Sequence, residues 1–198
     1  RQLTKAIILP NFVKFDRQKT VSVSFVSMTE YEEHLPLQIA FETQKVKEPI
    51  ASIIAKQNMK QLHIAETEKY AHITYFFDGG TEVPFPNEEF LLIPSPTVSS
   101  YEEHPEMSAE KITDKIIESV EKQSHDFIVV NYANADMLGH TGNLQGTIKS
   151  IESFDAQLGR LLFTVLEKNA VLIITGDHGN AEMMVDPQTG KIDKEHSS

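Results

Sequence analysis

The sequence contains no cysteine and no tryptophan. Without thiols there can be no disulfide, no thiolate nucleophile and no Cys-based zinc site, and a reducing compartment suits such a chain. Basic residues are scarce: 18 Lys+Arg stand against 29 Asp+Glu, for a net charge of −11. A nucleic-acid binder needs a basic footprint, so that class is excluded. No apolar run approaches the roughly 18 residues that a membrane span requires, and no signal peptide opens the chain. These absences lead us to expect a soluble, acidic, cytoplasmic protein with no nucleic-acid or membrane partner. The surplus of carboxylates instead suits a divalent cation.

What is present is ordinary globular material. Hydrophobic residues make up 40% of the chain and charged residues 24%, which excludes disordered and collagen-like classes. A length of 198 residues fits one large domain, or one domain and a piece of another. The chain opens on Arg1 and stops at Ser198, so we expect a fragment of a longer protein.

Residues 1–8 read as a helix end closed by Pro10. Residues 20–28 alternate β-branched or aromatic residues with Ser, the period of a half-buried strand. Residues 31–37 are irregular. Pro49 opens a helix with Ile50, Ile53 and Ile54 on one face and Asn58 near its end. A strand, helix, strand rhythm follows. Residues 61–65 are a short strand, 66–71 start a helix, and 73–78 and 89–93 read as further strands. Residues 108–122 are the clearest helix, with Ile112, Ile116, Ile117 and Val120 as its buried stripe. The run DFIVVN (126–131) looks like a strand covered on both faces, as does AVLIIT (170–175). Between them, 146–168 form a long helix with Ile148, Ile151, Phe154, Leu158, Leu161 and Leu162 inward. Helices alternating with apolar strands predict an α/β fold with a largely parallel sheet flanked by helices.

Each of the two apolar runs leads straight into a polar cluster. YANADMLGHTGN (132–143) follows the first, and GDHGNA (176–181) follows the second. Ligand sites in open α/β sheets lie beyond the carboxyl ends of strands, so the two clusters should share a crevice. Asp136 and His140, four apart, fall on one face of a helical turn. Asp177 and His178 sit between glycines that permit a tight bend, and His196 follows in a polar tail. Carboxylates and imidazoles without cysteine suit Mn, Zn or Fe(II) better than Ca. Set against this, a loop histidine is most often solvated, and an Asp and a His four apart occur by chance in many chains.

These same stretches carry a family resemblance. YANADMLGHTGN, GDHGNAEMM and LHIAETEKYAHITYFFDGG, with FPNEEFLLIPSP and YEEHPEMSA, resemble the bisphosphoglycerate-independent phosphoglycerate mutases over essentially the whole chain. The resemblance implies an alkaline phosphatase-like fold whose phosphatase domain is split in sequence by an inserted transferase domain. Residues 1–42 would be the tail of the transferase domain, and 43–198 the C-terminal part of the metal-binding phosphatase domain. It further implies two Mn ions, one held by Asp136, His140 and His196 and the other by Asp177 and His178. Lys69 matches a lysine that contacts the transferred phosphoryl group, with Glu68 and His72 beside it. The implied reaction is the glycolytic exchange of 3-phosphoglycerate and 2-phosphoglycerate through a phosphoserine, which splits one hard transfer into two.

The nucleophilic serine and one Asp ligand of that family have no match in this chain, because they belong to its N-terminal part. Ser27, Ser52, Ser99 and Ser108 carry no matching motif. This piece is therefore expected to be inactive alone, while the parent is a monomeric isomerase. His63 stands where the family commonly has Arg and reads as a tolerated change at a strand edge. Two other readings stay open. One is a different phosphatase or a phosphopentomutase of the same superfamily. The other is an inert metal-binding module that self-associates through an exposed sheet edge.

Overall fold

A computed structural model describes residues 2–19, 22–32, 34–42 and 46–197. The chain divides into two compact units, residues 1–45 and 46–198. Among the described residues no helix is long and apolar enough to cross a membrane.

The smaller unit holds helix α1 (Gln2–Ile8) and two short parallel strands, β1 (Val26–Ser27) and β2 (Gln38–Ile39). The strand expected over 20–28 is thus reduced to two paired residues, and Thr20 and Val21 lie outside the described residues. Alternating Val and Ser gives a strand only where a neighbour supplies the ladder, and β2 is two residues long.

The larger unit is built on a parallel sheet. Helix α2 (Ile50–Lys56) follows Pro49, which takes the capping position rather than the first turn. Strand β3 (Gln61–Glu66) lies between β4 (Glu88–Ile93) and β5 (Phe127–Asn131), parallel to both. Helices α3 (Ala109–Lys122), α4 (Asn134–Gly139) and α5 (Leu144–Glu167) complete the unit. The core gathers Leu62 and Ile64 from β3, Ile112 and Ile116 from α3, and Leu161 and Val165 from α5. The stripe expected on α3 is therefore the face that is buried.

Three expectations are corrected. The apolar run 73–78 is not a strand. After a 3-10 turn (Thr67–Lys69) the chain makes a π-helical turn (His72–Phe76), and Thr74 Oγ1 donates to the Tyr70 carbonyl at 2.8 Å. The α5 stripe holds in part: Leu161 is in the core and Phe154 packs on Tyr132 with ring centroids 4.9 Å apart. Ile148, Ile151 and Leu162 face outward, while Thr147 and Ser150 are buried. Ser150 donates to the Pro105 carbonyl at 2.6 Å and sits 3.3 Å from Asn134 Nδ2, so small polar residues let α5 approach α4 closely. Finally, residues 170–175 form no ladder among the described residues, and Val171 and Ile173 are 85% and 82% exposed. A strand is defined by its neighbour, and among the described residues β5 is paired only with β3.

Candidate metal centre

Parallel strands put their carboxyl ends at one edge of the sheet, and the site grows from there. Ala65 of β3 lies opposite Asn131 of β5. From the end of β3 the 3-10 turn delivers Lys69, which is buried. From the end of β5 the chain enters α4, whose Asp136 lies in the first turn and whose last turn leads to His140. The bend at 176–180 carries Asp177, His178 and Asn180 to the same edge.

Asp136 is the hub. One carboxylate oxygen, Oδ2, accepts from Lys69 Nζ at 2.5 Å. The other, Oδ1, accepts from Asn180 Nδ2 at 2.9 Å and faces His196 Nε2 at 3.0 Å and His140 Nε2 at 3.1 Å. The two imidazole nitrogens are themselves 3.0 Å apart. His140 Nδ1 lies 2.5 Å from the Lys194 carbonyl, so its N–H donates there and leaves the Nε2 lone pair turned inward. His178 stacks on His196 with ring centroids 3.7 Å apart, and ligand atoms of Asp136, His178 and His196 lie within 4.8 Å of one another. Asp177 completes the group: Oδ2 accepts from Asn131 Nδ2 at 3.2 Å, and Oδ1 sits 3.7 Å from His178 Nε2.

Burial works against ionisation of Asp136, but hydrogen bonds from Lys69 and Asn180, with the Lys69 and His140 charges, outweigh it and hold its pKa at about 2. Burial likewise opposes ionisation of Asp177, yet the bond from Asn131 and the charge of His178 lower it overall. Burial lowers His72, and Lys69 pushes it the same way while Asp177 and Asp136 pull it back. His72 therefore lies within electrostatic range of this cluster. Glu68 accepts from the Tyr101 hydroxyl at 2.6 Å.

The arrangement fits a divalent cation on its own chemistry. Two imidazole nitrogens 3.0 Å apart converge on one carboxylate oxygen, so three potential ligand atoms already lie together. Ionised Asp136 supplies the negative charge such a site needs, and one ring tautomer is already fixed by a backbone carbonyl. Asp136, His140, His196, Asp177, His178 and Lys69 all come together. Three further residues carry no charge and were not anticipated: Asn131, Asn180 and Gly139. A Cβ on Gly139 would lie 2.3 Å from Asn180 Oδ1, so glycine is what lets Asn180 reach Asp136. Their position inside or beside FIVVN, NADMLGH and GDHGN was the available signal.

A family model described as the metalloenzyme superfamily matches residues 14–198. The chain belongs to this superfamily. Its members share the alkaline phosphatase-like fold, in which a parallel sheet is flanked by helices, and membership implies a metal cofactor. Among curated proteins, the chain is 47% identical over 186 residues to a 2,3-bisphosphoglycerate-independent phosphoglycerate mutase of Synechococcus sp. (strain JA-2-3B'a(2-13)), covering 94% of this chain and 35% of that protein. It is 43% identical over 219 residues to the enzyme of the same name from Chloroflexus aggregans, covering all of this chain and 41% of the relative. A crystal structure of Leishmania mexicana phosphoglycerate mutase at low cobalt concentration superposes with a TM-score of 0.78 at 29% identity, over 99% of this chain and 38% of that one. The chain thus spans little more than a third of the length of the relatives it matches.

Proposed function

We propose that this chain supplies most of the metal-binding phosphatase domain of a bisphosphoglycerate-independent phosphoglycerate mutase. The whole enzyme interconverts 3-phosphoglycerate and 2-phosphoglycerate through a phosphoserine, and residues 1–42 are the tail of its inserted transferase domain. The observation that carries the reading is the convergence of His140, His196 and Lys69 on the two oxygens of Asp136. Asp136, His140 and His196 hold one Mn ion, and Asp177 and His178 contribute to a second. When bound, the pair lowers the pKa of an attacking hydroxyl and neutralises charge developing on the phosphoryl oxygens.

The chain's own residues do the rest. An ammonium has three N–H donors, and Asp136 takes one of those on Lys69. The remaining donors are available to a phosphoryl oxygen, where a buried cation stabilises equatorial charge. Asn180 and Asn131 orient the two carboxylates, Asp136 and Asp177, and leave the histidines free to ligate. No serine among the described residues matches the family's nucleophile motif, and on this reading the chain alone turns over no phosphoglycerate. The parent is a cytoplasmic monomer, while the separated chain self-associates through its uncovered 170–175 segment.

The test is a mutase assay on the full-length parent, coupled to enolase, without 2,3-bisphosphoglycerate. Turnover is expected. A strict requirement for added bisphosphoglycerate would refute the assignment.

A further inference from the structure

A second group of ligand-bearing side chains meets inside the sheet, apart from the Asp136 cluster. Its centre is His63, on β3. The expectation of a strand-edge change is wrong here: β3 is the middle strand and His63 is 0% exposed. Glu88 begins β4 opposite Gln61, so its side chain lies diagonally across from His63 on the same face. Asp78, also fully buried, is brought in where the π-helical turn ends, its N–H donating to the Thr74 carbonyl at 2.9 Å. The rings of Phe77, Phe90 and Phe127 surround the imidazole at 5.3, 5.6 and 6.5 Å.

The polar atoms in this apolar setting point at one another. His63 Nδ1 lies 2.7 Å from the Ile73 carbonyl, to which its N–H donates. That fixes the tautomer and leaves a lone pair on Nε2, only 3.0 Å from Glu88 Oε1. Glu88 Oε2 is taken by the Phe85 N–H at 2.6 Å. His63 Nε2, Glu88 Oε1 and both Asp78 oxygens are buried and receive no N–H or hydroxyl from any other described residue, while the Asp78 and Glu88 carboxyls hydrogen-bond each other. Ligand atoms from the three residues lie within 4.8 Å of one another. Buried acceptors left facing each other are costly, and something positive must sit among them.

We propose that His63, Asp78 and Glu88 form a second, buried site for a divalent transition-metal ion, zinc by preference, that is structural rather than catalytic. Two carboxylates and a neutral imidazole sum to −2, which one such ion neutralises. Nitrogen and oxygen donors suit zinc, whose bonds of about 2.0–2.1 Å place tetrahedral ligands about 3.3 Å apart, against 3.0 Å between His63 Nε2 and Glu88 Oε1. A histidine that ligates through one nitrogen while its other N–H is held by a backbone carbonyl is the usual arrangement at metal sites. The ion would tie β3 to β4 and to the segment that carries Lys69, and would enter as the chain folds.

Zinc content decides the matter. The untagged 198-residue chain, with Asp136→Asn, His178→Ala and His196→Ala to silence the other cluster, is produced in zinc-supplemented medium, gel-filtered and measured by mass spectrometry. One zinc per chain is expected, falling at least tenfold on adding Asp78→Asn and Glu88→Gln. Where that last variant does not fold, cobalt replaces zinc in the silenced chain. Bound cobalt should then give a paramagnetically shifted imidazole N–H from His63 that exchanges slowly with solvent. A folded, silenced chain with less than about a tenth of a zinc, or a cobalt form lacking that proton, would overturn the proposal and leave protons as what the cluster holds.

Discussion

Replacing Gly139 by alanine should loosen the metal centre without touching a ligand. The added Cβ would lie 2.3 Å from Asn180 Oδ1, 2.8 Å from Cγ and 3.2 Å from Nδ2. Asn180 is buried, so its amide cannot swing freely into water. The bond at risk runs from Asn180 Nδ2 to Asp136 Oδ1 at 2.9 Å. A hydrogen bond to a charged group contributes about 1.5–3 kcal/mol. Alanine is favoured over glycine within a helix by up to about 1 kcal/mol, which offsets part of that loss. The expected net change is about 1–2 kcal/mol of stability, read as a shift in the urea midpoint at constant slope. Manganese affinity should fall about 10- to 100-fold, the range for loss of a partner that orients a ligand. Adding Asn180→Ala should relieve the clash but removes the same donor, so neither the hydrogen bond nor the affinity returns. Unchanged affinity in Gly139→Ala would refute the role given to Asn180.

Other outcomes follow from the same geometry. Ile64→Ala removes a fully buried side chain from the central strand and should cost about 2–5 kcal/mol in denaturant unfolding, so a loss under 1 kcal/mol would count against this core. In the full-length parent, Lys69→Met should lower kcat by about 10²–10³, in the range for losing a transition-state donor, with a smaller effect on KM. A rise in KM alone would place Lys69 outside the transfer step. Burial pushes the Glu66 carboxyl above the ordinary glutamate range, against hydrogen bonds from Ser95 and Ser108. The folded state therefore holds this proton more tightly than the unfolded chain, and the group's contribution is complete below the unfolded pKa of about 4.3 and lost as pH rises through the raised folded value. Glu66→Gln should flatten that part of the stability profile above about pH 4, and a parallel profile would argue that Glu66 titrates normally.

Much of the larger unit was legible because its elements are long and their periods clean. Ile112 and Ile116 mark α3, and the runs 61–65 and 126–131 mark β3 and β5. Short apolar segments were not legible, since ITYFFD has the composition of a buried strand yet closes as a π-helical turn. Length alone does not separate the two, and the choice is made by packing, not pattern. The run 170–175 was misread for a different reason: pairing is a property of the neighbour and is not written in the strand itself. On α5, the surface that α4 presents selected Thr147 and Ser150 over Ile148 and Ile151. At the candidate metal centre, Asp136, His140, Asp177 and His178 stood out by their places beyond apolar runs, and Lys69 only through the family resemblance. Asn131, Asn180 and Gly139 did not stand out, because orienting a carboxylate or making room for an amide leaves no charge or period. His63 was misplaced since its partners, Asp78 and Glu88, meet it only once β4 is laid against β3.

Manganese titration of the chain at pH 7.5, after mild chelation that clears exposed sites, tests the metal centre most directly. Asp136, His140 and His196 offer one carboxylate and two imidazoles, whereas Asp177 and His178 supply only part of a second set. Calorimetry should show at most one weak manganese site, abolished by His140→Ala. Two tight sites, or binding indifferent to His140→Ala, would contradict the ligand assignment.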